Sequence, residues 1–324
     1  MLLKKYLFPL KILVALAILA LIVCTLDWQQ SLNHLKNISW LWLLIGVLLH
    51  VSAIMLSAFR WQQLVQVLSH RLNYREALKF YWIGSLFSTV LPSNIGGDVV
   101  RLTMARRVGS VTAILTSVLM ERVTGLLLLL VIGLIALILS PQIEQVLPMR
   151  TAIIGSLVIG LLFIPYFLSR SSGWLSRLAA LPFTQQGIAR KVASKLEQIG
   201  DSVRVYRQQP AAIRLTFALS LIFYCLLFAY QGAMVYAVGG ELTLGGLMFA
   251  APLVILISSL PISINGLGIS EGAFVVLYAL TGVNPEIALA AAVLRRLTIT
   301  FVALLGVIPW LQERKQGATQ ATHS

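Results

Sequence analysis

Long apolar runs separated by short polar stretches dominate this chain, and their lengths predict membrane-spanning helices. A helix needs about 20 apolar residues to cross the hydrocarbon core. Residues 6–26 meet that length, with Lys4 and Lys5 ahead of them and Lys11 able to snorkel. Asp27-Trp28-Gln29-Gln30 follows without a small-residue cleavage site, so the run reads as a first span and not as a removable leader. Further runs occupy 37–59, 80–97, 123–143, 151–169, 215–240 and 242–270. A last one, 287–312, is interrupted by Arg295 and Arg296.

Composition excludes the soluble alternative. Of 324 residues, 58% are apolar and 11% charged, with mean hydropathy +0.89, whereas a soluble domain carries about 25% charged residues. Cys24 and Cys225 both lie in apolar runs, which argues against a disulfide framework. His34, His50, His70 and His323 are scattered and form no Cys/His cluster, so no metal is expected. No Walker pattern is present, so no ATP site or other cofactor is expected.

The net charge of +14 reports topology here and not a nucleic-acid partner, because cytoplasmic loops of membrane proteins collect Lys and Arg. Placing most of the 25 basic residues inside, Arg60 among them, leaves Lys36 and Arg150 outside and Arg122, Arg295 and Arg296 at membrane depth. Arg75 and Lys79 then share a side with Arg101, Arg106 and Arg107, so run 80–97 must enter and return. Residues 242–285 start and end on the opposite side, broken by Pro261, Gly266, Gly268 and Gly272. The expected fold is all-α and polytopic, with about six full spans, two re-entrant helical hairpins and both termini cytoplasmic. Residues 1–315 form one membrane domain in this reading, and 316–324 a disordered polar tail.

The two breaks resemble each other. The first reads Leu91-Pro92-Ser93-Asn94-Ile95-Gly96-Gly97-Asp98, and the second runs from Leu260-Pro261 through Ser263, Asn265, Gly266 and Gly268 to Glu271. Arg122 follows Asp98 by 24 residues, and Arg295 follows Glu271 by 24. Opposite directions of entry make this pair an inverted repeat, the arrangement from which transporters build midplane sites. Pro ends helical hydrogen bonding and Gly permits close backbone approach. The residues after each break suit a helix start, whose free N–H groups favour anions. The plain alternative is a pair of tight packing turns.

Asp98, Glu121, Arg122, Glu271, Arg295 and Arg296 stand in apolar surroundings, where each costs about 2.5–3.5 kcal/mol at a helix centre. They must face the protein interior or a hydrated cavity. The repeat pairs Asp98 with Arg122 and Glu271 with Arg295; Glu121 and Arg122, adjacent on one helix, point about 100° apart. Arg101 and Arg296 are left as headgroup-binding candidates, since guanidinium grips phosphate bidentately. Salt bridges that only pin helices are the simpler reading of the same charges.

Residues 169–214 form the one sizeable polar segment. Ile188, Val192, Leu196, Ile199, Val203 and Tyr206 make an apolar stripe on a basic helix, which predicts an amphipathic connector on the anionic inner leaflet. An ordinary inter-span linker is the alternative. About 45 residues cannot hold a catalytic domain, for which about 100 is usual.

Leu91-Pro92, Gly96-Gly97-Asp98, Arg101, Glu121-Arg122, Pro261, Asn265-Gly266-Leu267-Gly268, Glu271-Gly272 and Arg295 together resemble the lysylphosphatidylglycerol synthase transmembrane-region family, also called the flippase-like domain family. The resemblance covers about residues 10–312. In the multiple peptide resistance factor, a similar region translocates aminoacylated phosphatidylglycerol beside a soluble aminoacyltransferase domain. That domain has no counterpart here, so the resemblance implies lipid movement without synthesis. Other relatives accompany glycosyltransferases, polyprenyl-linked sugars or hopanoid metabolism, which leaves the lipid open. The expected function is a non-enzymatic inner-membrane flippase for an anionic phospholipid or a polyprenyl-phosphate-linked lipid. The alternatives are a non-transporting subunit that docks a separate soluble lipid-modifying transferase, and, third, a membrane-embedded transferase.

Overall fold

The computed structural model describes residues 28–68, 70–90, 96–139, 208–260 and 264–321, with short pieces at 154–155, 157–162, 198 and 201–206. The expected first span, most of the 151–169 run and most of the connector lie outside the described residues, as do Pro92, Asn94 and Pro261. Every regular element among the described residues is a helix. In chain order these are α1 (Trp28–Lys36), α2 (Trp40–Val67), α3 (Tyr74–Val90), α4 (Gly96–Met104), α5 (Val111–Leu139), α6 (Pro210–Ala237), α7 (Leu244–Ser259), α8 (Ile269–Ala279), α9 (Pro285–Leu304) and α10 (Val307–Ala321). Short 3-10 turns at Ala105–Arg107 and Ile264–Gly266 follow α4 and precede α8.

Four of these segments are long and apolar enough to cross a membrane: α2, α5, α6 and the α9–α10 unit over Pro285–Arg314. The chain is a multi-pass membrane protein. At 17 and 16 residues, α3 and α7 each rise about 25 Å, short of a hydrocarbon core of about 30 Å. Each packs against a still shorter helix beyond its break, α3 against α4 and α7 against α8.

Local chemistry explains the helix ends. The Thr243 hydroxyl accepts from the Gly246 N–H to cap α7, and the Asn284 side-chain Oδ1 accepts from the Glu286 N–H at 2.8 Å ahead of Pro285. Such caps satisfy donors that the first turn leaves free. Between α7 and α8, Asn265 has φ 51° and Gly268 φ 78°. An L-residue with a Cβ resists those values, which is why Asn and Gly stand there. Gly97 answers a different need: a Cβ there would lie 2.0 Å from Ser88 Oγ and 2.2 Å from the Gly84 carbonyl oxygen. The α3–α4 pair is thus held at backbone contact.

Helices α2 and α6 run antiparallel along each other. The Ser39 N–H donates to Ala237 O at one end, and Arg60 meets Ser220 at the other. The main core lies between α6, α7, α8 and α9, with Met234, Ala250, Phe274, Tyr278, Ala290, Ala291 and Ala292 fully buried. Runs of small residues let helix backbones approach closely where lipid supplies no hydrophobic drive for association.

Two expectations change at the edges. Val203 and Tyr206, read as part of a leaflet-facing stripe, are buried with Leu64 and Met120, and the Tyr206 hydroxyl donates to Leu64 O at 2.7 Å. Protein, not lipid, covers that end of the connector, because α2 and α5 offer an apolar groove and a free carbonyl. Helix α10 continues to Ala321, through most of the stretch expected to be a polar tail.

Candidate functional site

Five charged side chains from three helices form an alternating chain. Arg60 of α2 donates from Nη2 to Glu121 Oε1 at 2.9 Å. The other oxygen of that carboxylate accepts from Arg101 Nη1 at 3.1 Å. Arg101 also reaches Asp98 Oδ1 at 2.8 Å, and Asp98 Oδ2 accepts from Arg122 Nε at 2.6 Å. The sequence is therefore plus, minus, plus, minus, plus. Tyr81 of α3 donates to Glu121 Oε1 at 3.1 Å, and Arg60 Nη1 reaches Ser220 Oγ of α6 at 2.9 Å. Five helices meet on this chain.

The supports are aromatic as well as ionic. The Arg101 guanidinium lies 4.4 Å from the Tyr81 ring centroid and 5.0 Å from that of Trp61, and Arg60 lies 5.0 Å from Phe223. Trp61 is fixed in turn by donating to Ser117 Oγ at 3.0 Å. A cation above an aromatic face keeps part of the stabilisation it loses on leaving water. Exposure grades along the chain, from 3% for the Glu121 side chain to 54% for Arg122. A cavity of about 350 Å³ opens there, lined by Arg60, Tyr81, Asp98, Arg101, Glu121 and Arg122 with apolar neighbours including Leu126 and Ile255.

The second cluster surrounds the break before α8. Glu271 Oε2 accepts from the Gly268 N–H at 2.8 Å, closing the helix start, and its Oε1 accepts from Arg296 Nε at 2.7 Å. Arg296 Nη1 also donates to the Asn265 carbonyl at 3.2 Å. Arg295 takes a different partner at the same helix start. Its Nη2 is in close contact with Ser270 Oγ, and its guanidinium lies 5.3 Å from the Phe274 ring centroid.

A second cavity, of about 260 Å³, is lined by His50, Ser57, Tyr81, Tyr230, Gln231 and Arg295, with Ala53, Ile54, Leu227 and Ile299 on its apolar side. Tyr81 and Ile255 line both cavities, which places the two side by side.

The expected pairing of Asp98 with Arg122 is present. That of Glu271 with Arg295 is not: Arg296 takes the carboxylate. Neighbours on a helix point about 100° apart, and of the two arginines Arg296 faces Glu271 while Arg295 faces Ser270. Arg101, expected to lack an acid, touches two, Asp98 and Glu121. Glu121, left without a partner by the repeat, is taken by Arg60 and Arg101. Gly96 and Gly97 are buried in the α3–α4 contact, while Asn265, Gly266 and Gly268 form the turn into α8.

Arg60, Tyr81, Ser220 and His50 were missed. Arg60 was placed in a cytoplasmic loop because the apolar run ends at residue 59. No Pro or Gly interrupts the chain from 47 to 83, however, and α2 continues to Val67. That absence of a helix breaker was the available signal for Arg60. Tyr, Ser and His within apolar runs carry no comparable mark.

Comparison with known proteins agrees with the helical, lipid-embedded character of these elements. A UPF0104 membrane protein of Archaeoglobus fulgidus is 23% identical over 280 residues, covering 83% of this chain and 85% of its own. Another, from Methanothermobacter thermautotrophicus, is 23% identical over 316 residues, covering 91% of each. No solved structure matches. A match over residues 9–306 establishes that the chain belongs to the lysylphosphatidylglycerol synthase TM region family.

Proposed function

We propose that this protein moves an anionic phospholipid or a polyprenyl-phosphate-linked lipid between the leaflets of the bacterial inner membrane, with both termini cytoplasmic and without making or breaking a covalent bond. The observation that carries the reading is the alternating chain from Arg60 to Arg122 lining a cavity beside the α3–α4 break. Charges at such a site are costly in lipid and are typically retained where they contact a polar substrate or gate a path. Membership of the family and the two broken helix pairs support the same reading. In this proposal the pairs are re-entrant hairpins related as an inverted repeat.

The headgroup enters beside Arg122, exchanges contacts with Asp98 and Arg101, and passes Tyr81 and Ile255 into the second cavity. Acyl or prenyl chains stay in the bilayer. The salt bridges are exchangeable because each acid holds two partners, so a phosphate displaces one without stranding another. Arg296, braced by Glu271 and the Asn265 carbonyl, holds the second break in place during the passage.

The test is headgroup-labelled phosphatidylglycerol in proteoliposomes, followed by headgroup accessibility, and repeated with an undecaprenyl-phosphate probe. Movement of either lipid by wild-type protein and its loss in Asp98→Asn is the expected result. Movement retained in that variant removes the first cavity from the path, and no movement of either lipid overturns the transport reading.

A further inference from the structure

The two cavities differ in how their arginines are compensated. Around the first, every guanidinium has a carboxylate within 3.1 Å. In the second cluster Glu271 is spent on Arg296. Arg295 has no acid within 4 Å among the described residues, although it is 7% exposed. Its Nε is buried without a hydrogen-bond partner, and so is His50 Nδ1, which lines the same cavity.

A buried charge of this kind is expensive unless something of opposite sign meets it. Ser270 Oγ and the Phe274 ring meet the guanidinium, Tyr230 donates to the Arg295 main-chain carbonyl, and Ser57 and Gln231 line the same cavity. All of these groups are neutral, so they leave the charge of the guanidinium uncompensated. The rest of the lining includes the apolar side chains of Ala53, Ile54, Phe223, Leu227, Ile255 and Ile299. At about 260 Å³ the space is smaller than the roughly 300–1,000 Å³ of sites that enclose a whole drug-sized ligand.

From this juxtaposition we propose that the second cavity is a binding site for a single phosphate-type anion, with Arg295 supplying the charge, His50 and Gln231 supplying polar contacts, and the apolar wall accepting the first carbons of an attached chain. The anion completes an ion pair that the described residues leave half made. Binding here does not require movement, so the site stands or falls separately from the transport reading.

The experiment measures thermal stability of the full-length protein in an uncharged maltoside detergent, against dihexanoyl phosphatidylglycerol, inorganic phosphate and dihexanoylglycerol. A ligand that binds only the folded state raises the unfolding temperature in a concentration-dependent way. A phosphate-bearing probe is expected to stabilise wild type, and the neutral diglyceride is not. Stabilisation by the phospholipid alone assigns the site to a headgroup; equal stabilisation by inorganic phosphate assigns it to a soluble anion.

In Arg295→Gln the apparent affinity should fall by about tenfold or more, the loss expected for a hydrogen bond to a charged group. Without ligand the same variant should be no less stable than wild type, because removing Arg295 strands no carboxylate. A merely pinning arginine would give the reverse pattern. Leu227→Trp fills the cavity while keeping Arg295, and should abolish the anion effect even if Arg295→Gln cannot be purified. No stabilisation of wild type by either phosphate probe, an equal effect of the diglyceride, or an anion effect retained in Leu227→Trp overturns the proposal.

Discussion

The two helix breaks share a sequence pattern and differ in what they do with charge. At the first, Asp98 is followed one turn later by Arg101, and the next long helix contributes Glu121 beside Arg122. At the second, Glu271 is followed one turn later by Phe274, and the next long helix contributes Arg295 beside Arg296. One half therefore alternates acids and arginines until all are paired, and the other replaces a base and an acid with an aromatic ring and a second base. The lesson is that a shared sequence pattern brings charges to both places, while single residue differences decide whether the site is self-compensated or, as proposed, waits for an anion.

The sharpest way to break this comparison is to remove the acid at the centre of each cluster. Glu121→Gln takes from buried Arg60 its carboxylate partner and leaves buried Arg101 with Asp98 alone, and breaking a buried pair on one side costs about 3–5 kcal/mol. Glu271→Gln retains a side chain able to accept from the Gly268 N–H and loses an ion pair to the more exposed Arg296, so the cost should be nearer that of a lost helix cap, about 0.5–2 kcal/mol. Unfolding of both variants in matched detergent by heat or denaturant measures the difference. Equal losses would show that the first network is no more tightly coupled than the second.

Glycine positions sharpen the contrast. Gly97→Ala drives a methyl group against the Gly84 carbonyl, which cannot rotate away, and overpacking of this kind costs about 1–3 kcal/mol. Gly84 faces the Arg101 side chain, so loosening the α3–α4 contact also shifts Arg101 relative to Glu121. Gly268→Ala acts through its positive φ, a backbone strain of about 1–3 kcal/mol at the other break. In double mutants with Glu121→Gln, Gly97→Ala should be less than additive and Gly268→Ala additive within about 0.5 kcal/mol. Additivity in both cases would uncouple the first glycine contact from the charge chain.

How much of this was legible depended on whether the signal was local. The breaks, the burial of the acids and the Asp98–Arg122 pair follow from composition, Pro and Gly placement and spacing along the chain. Partner choice does not, because it depends on helix rotation: Glu271 selects Arg296 over Arg295 through a rotation of about 100°, which a 24-residue offset cannot resolve. Arg60 and Ser220 lie 160 residues apart and meet only because α2 and α6 pack antiparallel. Tyr81 was invisible for a third reason, since one phenol in an apolar run carries no mark until Glu121 is placed beside it.

The smallest expected effect tests whether burial, and not charge count, makes the first network strong. Glu313 of α10 also binds two bases, taking a close contact from Lys79 and accepting from both terminal nitrogens of Arg107 at 3.1 Å. In number of basic partners it matches Glu121. Its partners are far more accessible, however, with 48% of the Arg107 side chain exposed against 5% for Arg101. Exposed pairs are typically worth about 0.2–1 kcal/mol and weaken as salt is added. Glu313→Gln should therefore cost less than about 1 kcal/mol, and the loss should shrink further at high ionic strength, whereas the cost of Glu121→Gln should be insensitive to salt. A salt-independent cost for Glu313→Gln comparable to that of Glu121→Gln would mean that desolvation is not what separates the two networks.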